Sequence, residues 1–378
     1  MKWQSCARSL VGLICTALAA CSVGPAYKRP DIALPTEWHE APGTGETAPS
    51  VWPEAQWWHG FGSSQLDELI AEAERSNDDL AGAIARVQEA DAQVRIAGAP
   101  LFPSVDLTAD ATRQRTQVSG AGSRLANIFN PQITASYELD FWGKNRALRS
   151  AALAAAVASR YDQETVALTV VSSVASTYFQ ALELRDRIQV AQQNLDNGQK
   201  ILRGLQLQQS AGTATGLDVA QQETAVALLD AALPPLLQQF RQSVYALAVL
   251  IGKTPESIDV TAGTLTELSS PAIAAGLPSQ LLSRRPDVAS AEQQLIAANA
   301  DITVARAALF PSIALTASGG YASSTLTSLI SPANRVYAVS AGLTRPMFHG
   351  GARRGHVALS NARYTELLTT YHRSVLSA

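Results

Sequence analysis

The sequence predicts a mixed α/β membrane protein built as two copies of one plan, each copy joining long antiparallel helices to an amphipathic β-hairpin. Three observations predict it. ALFPSIALT at 308–316 nearly repeats PLFPSVDLT at 100–108. Four segments alternate apolar and polar residues with the period of a strand. The stretch 146–209 holds no proline and only two glycines, Gly198 and Gly204, so it reads as one helix of roughly 90–100 Å at about 1.5 Å per residue.

The repeat comes first because it sets the element order. Residues 80–110 laid over 288–318 match at 13 of 31 positions. Alanine matches are cheap in a chain with runs such as AALAAAVAS, whereas Leu-Phe-Pro-Ser followed by Leu-Thr-Ala is not. FWGKNR (141–146) and FHGGAR (348–353) supply a second landmark, Phe-x-Gly-x-x-Arg, at an offset of 207. Pro103 and Pro311 precede the strands of the two copies, and Gly143 and Gly350 mark the strand-to-helix junctions.

Taken in order, residues 1–20 read as a signal peptide: Lys2 and Arg8, the apolar run LVGLICTALAA, then LAAC ending at Cys21. LAAC fits a lipobox, which makes Cys21 the lipidated N-terminus; a plain signal peptide or short anchor is the competing reading. Removing 1–20 takes Cys6 and Cys15 with it and leaves 27 basic against 32 acidic residues, a net charge of -5 instead of -3, and no disulfide framework. An extended segment follows over 21–60. The first copy, 61–260, has a helix over 78–99 that stops at Pro100 and a hairpin over 105–140 whose loop is expected at 118–130. It continues with the long helix and a turn, SAGTATGL, over 210–217. Thr215 is suited to cap the returning helix, with Asp218 at its third position, and Pro234 and Pro235 interrupt that return. The second copy, 261–378, has a helix over 286–308, a hairpin over 312–346 with its loop at 322–334, and a helix starting over 352–378.

The strands carry their apolar residues on one face: Val105 and Leu107, then Ile133, Ala135, Tyr137 and Leu139, then Ile313 and Leu315, then Tyr337, Val339 and Leu343. Acids sit on the other face. That pattern suits a barrel with lipid outside and water inside, or an ordinary half-buried sheet in a soluble core. Membrane barrels start at about eight strands, so four per chain require several copies.

In order along the chain, CSVGPAYKRP, WWHGFGSSQLDELI, LFPSV, ELDFWGKNR, AGTATGLDV, LIGKTP, RRPDVASAE and FPSIALT resemble the marks of the TolC/OprM-like outer-membrane channels of tripartite efflux pumps, in their NodT-type lipoprotein branch. The resemblance implies a homotrimer closing a 12-stranded outer-membrane β-barrel, with the helices forming a periplasmic α-barrel. It also implies a periplasmic adaptor and an inner-membrane RND-type transporter as partners, with outer-membrane lipid around the barrel. It places Asp218, Gly212 and Gly216 at the pore tip and gate, and gives Trp57 and Trp58 packing roles. After FHGGAR only 25 residues follow, against more than 100 after FWGKNR, so the second tip hairpin is expected to be missing. A non-conducting scaffold lipoprotein and a secretion duct for peptides or proteins are the competing functions.

No cofactor is expected beyond the covalent lipid on Cys21, and no catalysis. The histidines at 39, 59, 349, 356 and 372 lack metal-ligand spacing, and His349 with His356 is a weak pair. No phosphate loop or nucleophile elbow occurs, and scattered basic residues give no nucleic-acid signal.

Overall fold

The computed structural model describes residues 23–32, 56–118, 122–261, 263–271 and 284–378. The signal peptide, Cys21 and most of the 21–60 segment lie outside the described residues. In chain order the elements are α1 (Ser64–Ser76), α2 (Asp78–Gly98), β1 (Ser104–Val118), β2 (Gly122–Leu139), α3 (Lys144–Ser210), α4 (Gly216–Ala231), α5 (Leu233–Leu250), α6 (Pro286–Ala307), β3 (Ser312–Tyr321), β4 (Arg335–Thr344) and α7 (Ala352–Ser377). They fall into two compact units. One lies within Met1–Ala33, Val87–Tyr161 and Leu282–Ala378, the other within Leu34–Arg86 and Asp162–Leu281. The units cut across the two sequence copies, since the first unit holds the strands of both.

In the first unit the two hairpins join through β2 and β3 into one antiparallel sheet of order β1-β2-β3-β4. The loop expected at 118–130 is largely strand: β2 starts at Gly122, and β1 and β2 stay in register from Ser104↔Ser136 to Val118↔Gly122. Leu125 and Ile128 stand on opposite faces, so no alternation announced the strand there. Pro131 sits within β2 opposite Ala109, one residue beyond the last β2–β3 ladder pair at Gln132↔Gly320. A proline without an N–H is tolerated there because it falls in the gap between that ladder and the isolated bridge Phe129↔Ser323. The second hairpin has its loop at 322–334, tightened by short 3-10 turns at Leu326–Ser328 and Pro332–Asn334.

In the second unit a core forms where α1, α3 and α5 meet. Leu66 and Ile70 of α1, Val174, Tyr178 and Leu182 of α3, and Leu247 of α5 are essentially inaccessible to water. Trp58 is buried in this cluster, with Trp57 packed edge-on against it at 6.0 Å between ring centroids. The helix expected over 78–99 corresponds to α2, and Asn77 separates it from α1. Its buried amide donates to Leu250 O at 2.8 Å and accepts from Leu80 N–H at 2.9 Å, so both polar ends are satisfied. Gly252, at φ +66, lies where a Cβ would run into the Ser76 carbonyl, so this chain crossing requires glycine.

At 67 residues α3 is about 100 Å long. One 18-residue stretch of it is long and apolar enough to cross a membrane, and 39% of that stretch is buried inside the protein. Val170, Val171, Val174, Ala175, Tyr178 and Leu182 account for much of this apolarity as core packing. The helix pairs with the returning α4 through Gly198, whose missing side chain admits Leu229 and Val226, and Gln222 donates to Gly198 O at 3.1 Å. The return is interrupted at Ala232, with prolines in the first turn of α5 where a missing N–H costs nothing.

Candidate functional site

The sheet registers align the apolar residues into rows running straight across the strands. Leu139, Ile313 and Leu343 form one row; Tyr137, Leu315 and Ala341 the next; then Val105, Ala135, Ala317 and Val339; then Leu107, Ile133, Gly319 and Tyr337. The alternate rows are polar, such as Ser104, Ser136, Thr316 and Ser340, or Asp106, Thr134 and Ser318. Among the described residues nothing covers the apolar face: Tyr337 is 88% exposed, Val339 81% and Leu107 76%. A soluble sheet hides such a face in a core, and a contiguous uncovered one marks contact with a partner or a membrane. On β2 the band runs from Phe129 to Leu139, ten residue steps. At about 3.4 Å per step and a strand tilt of about 40° this is about 26 Å high, against about 25 Å for the apolar belt of outer-membrane barrels.

The helix-side end of the sheet is built by the Phe-x-Gly-x-x-Arg motif. Trp142 Nε1 donates to Pro311 O at 2.7 Å, and its ring stacks on Phe310 at 4.7 Å between centroids. Gly143 takes φ +74. Asp140 caps α3, accepting from Asn145 N–H and Arg146 N–H at 2.9 Å each, and Arg146 Nε returns to it at 3.2 Å. Lys144 pairs with Glu138 at 2.9 Å. Pro103 and Pro311 each stand one residue before a strand, the former after the 3-10 turn Ala99–Leu101. The second copy of the motif is poorer. Gly350 and Gly351 have φ +54 and +84, Arg353 donates to Ala308 O, and α7 begins with no side-chain cap. Met347 stands where the first copy has Asp140, and the interval from the last apolar strand residue to the Phe grows from two residues to five.

The turn between α3 and α4 is closed by its own residues. Gly212 at φ +79 donates to Gln209 O at 3.0 Å, and Thr213 N–H reaches Gln208 O at 2.9 Å. Gly216 opens α4 without a positive φ, and a Cβ there would make ordinary contact with Gln209. Thr215 and Asp218 form a reciprocal capping box: Asp218 Oδ2 accepts from Thr215 N–H at 2.8 Å and from its hydroxyl at 2.6 Å. These bonds from the Thr215 side chain first, and its backbone second, hold the Asp218 carboxyl below its ordinary range.

A third feature is the docking of residues 24–29 along α6 and α7, whose partners the sequence did not name. Gly24 packs directly on Thr303, so no larger residue fits. Pro25 O accepts from Asn299 Nδ2 at 3.0 Å, Tyr27 donates to Glu292 Oε1 at 3.4 Å, and Arg29 pairs with Glu292 at 3.0 Å while donating to the Tyr371 hydroxyl at 3.3 Å. The partners fall from 303 to 292 as the segment proceeds, so it runs antiparallel to α6. Burial first, and Glu292 second, push the Tyr27 hydroxyl's pKa up. The only local hint was Gly24-Pro25 with Arg29, because every partner lies more than 260 residues away.

Among the described residues no three His, Cys, Asp or Glu side chains converge as a metal site; His349 Nδ1 lies 2.6 Å from its neighbour's carbonyl, Phe348 O.

Residues 69–253 and 277–378 match the family described as outer membrane efflux protein. The chain is 41% identical to the pyoverdine export outer membrane protein OpmQ of Pseudomonas aeruginosa, over 96% of this chain and 77% of that one. It is 30% identical to the cation efflux system protein CusC of Escherichia coli, over 97% and 79%. A crystal structure of a membrane protein from Pseudomonas aeruginosa superposes with a TM-score of 0.85 at 30% identity, covering 94% of this chain and 81% of that one. Channels of this family are non-catalytic conduits that work with an adaptor and an inner-membrane transporter. The chain belongs to the outer membrane efflux protein family, and it is an outer-membrane channel of a tripartite system that exports small molecules.

Proposed function

We propose that three copies of this chain close one 12-stranded barrel, each giving the four strands β1–β4, with a lipid on Cys21 and a helical tip gated at Asp218. The observation that carries the reading is the uncovered apolar face, whose rows cross all four strands and whose height matches a membrane belt. Four strands cannot close a membrane barrel, whereas twelve can. The outer edges of β1 and β4 are free to pair with neighbouring copies, as backbone groups in lipid must.

The docked segment supports the lipid anchor. Gly24 lies three residues after Cys21 and packs on Thr303, one turn before α6 ends at Ala307 and β3 begins at Ser312. Three extended residues reach about 10 Å, so an acyl group on Cys21 would enter the leaflet beside the helix-side end of the sheet. For the tip, three Asp218 carboxylates around a threefold axis would make a cation-selective constriction. Gly212 gives the turn that presents them, and Gly216 starts the helix that carries Asp218. Pro103, Pro311, Gly143 and Gly350 shape the passage from helix to strand and back. OpmQ is named for pyoverdine and CusC for cations, so the proposed cargo is stated as a class, small exported compounds, handed over by an adaptor from an RND-type pump.

Planar-bilayer recording of the purified full chain tests this. The expected result is stepwise, cation-selective current that rises when Asp218→Ala opens the tip. A folded, membrane-inserted protein silent in both forms would identify a scaffold instead.

A further inference from the structure

The sheet sorts its charges by face. Its three acids, Asp106, Asp110 and Glu138, all stand in the polar rows. Arg113, Arg115 and Arg335 stand in the same rows as the apolar residues, at the margin next to the hairpin loops. The fourth strand arginine, Arg124, pairs with Thr116 in the polar register. Arg335 faces Tyr321 and follows directly below Tyr337, while Arg113 and Arg115 follow Ala109 and Ala111 on β1. All three are exposed, and among the described residues none forms an ion pair. The opposite margin is different, carrying exposed Phe102, Met347 and Phe348 around a single Arg345.

An arginine on a lipid-facing strand is costly at the bilayer centre and nearly free at the interface. Each stands past the last apolar residue of its own strand on that face, Arg113 and Arg115 past Ala111 and Arg335 past Tyr337, on the side of the hairpin loops. The loops lie at the far end of the strands from the helices, so in a channel whose helices are periplasmic this margin is the outer leaflet. A guanidinium there without a protein carboxylate meets phosphate, which it binds in a bidentate fork.

We propose that Arg113, Arg115 and Arg335 form a binding rim for the phosphate groups of the outer leaflet's phosphorylated glycolipid, lipid A. The proposal rests on the reading of the apolar face as lipid-facing. Arg113 and Arg115 are two apart on one strand face, about 7 Å along the strand. Arg335 opens β4, the opposite sheet edge, so closing the barrel brings it toward the β1 arginines of the neighbouring copy. The rim is therefore completed between copies and favours the closed ring.

The test uses the full chain folded into phosphatidylcholine nanodiscs doped with bis-phosphorylated or fully dephosphorylated lipid A, with lipid retained per protein read by mass spectrometry. At roughly fivefold per arginine near an anionic surface, the wild type should prefer the phosphorylated form on the order of 100-fold. The Arg113→Gln/Arg115→Gln/Arg335→Gln variant should lose that preference, and the corresponding triple Lys variant should keep most of it. Equal retention by wild type and the Gln variant overturns the proposal. So does displacement of lipid A by an equal concentration of inorganic phosphate, which would make this a free-anion site. A bimane on Val339→Cys separates the two layers of inference. Quenching by brominated acyl chains with no phosphate preference rejects the rim alone, and no quenching rejects the lipid-facing face and the rim with it.

Discussion

Placing one arginine on each side of β4 distinguishes the two faces of the sheet most sharply. Val339 and Ser340 are adjacent in β4, pair with Ala317 and Thr316, and are both exposed in one protomer. In water, Val339→Arg and Ser340→Arg would both be mild. In the membrane they diverge. The apolar band on β2 is centred near residue 134, which puts the Val339 row, through Ala135 and Ala317, close to the bilayer midplane. An arginine facing lipid there costs about 2–4 kcal/mol per copy, and one facing an aqueous lumen costs little. The assay is urea unfolding from liposomes for each variant. Val339→Arg should lower the unfolding free energy by about 2–4 kcal/mol, while Ser340→Arg should stay within about 0.5 kcal/mol of wild type. Equal losses, or a larger loss for Ser340→Arg, would refute the face assignment.

Further consequences follow from the same geometry. Leu247→Ala, at a fully buried position of the helical core, should cost about 2–5 kcal/mol and lower the thermal midpoint without altering the sheet; an unchanged midpoint would count against that core. Gly24→Val should undock residues 23–32 from α6, read as faster hydrogen exchange there, because its side chain has no room beside Thr303. Trp142→Phe removes the bond to Pro311 O and should cost about 1 kcal/mol by chemical denaturation while keeping the ring stack. The Asp218 carboxyl is held low by Thr215, so its contribution to the tip is complete above the ordinary carboxylate pKa of about 3.9. It is lost as pH falls through the still lower folded value. Hydrogen exchange at 216–220, corrected for intrinsic rate, should therefore accelerate only in that acid range, and Asp218→Asn should abolish the dependence.

The helices were readable because their punctuation is local: Pro100, the Ser210–Thr215 turn, Pro234 and Gly252 each act on the next few residues. The apolar strand faces were readable because period two survives in 105–111, 133–139 and 337–343. The first hairpin's long arm was not. Leu125 and Ile128 break the alternation, and Pro131 looks like a stop, whereas pairing with Arg113–Val118 carries the strand through. The chemistry of FWGKNR was equally hidden. The motif was visible as a repeat, but its tryptophan serves a carbonyl 169 residues away, and its aspartate partner lies one residue outside the shared pattern. The fusion of both hairpins into one sheet through β2 and β3 came only from resemblance, because both strands are amphipathic and nothing in either names its partner.

The central claim, that the sheet closes only by sharing edges between copies, is most directly tested by disulfide trapping between those edges. Val339 on β4 and the β1 positions Val105, Leu107 and Ala109 are separated within one chain by three strand spacings, about 14 Å, too far for a disulfide. With Val339→Cys paired in turn with Val105→Cys, Leu107→Cys and Ala109→Cys, at least one pair should give a covalent ladder ending at three chains on a denaturing gel. Monomer alone from every pair in folded, membrane-inserted protein would contradict the shared barrel.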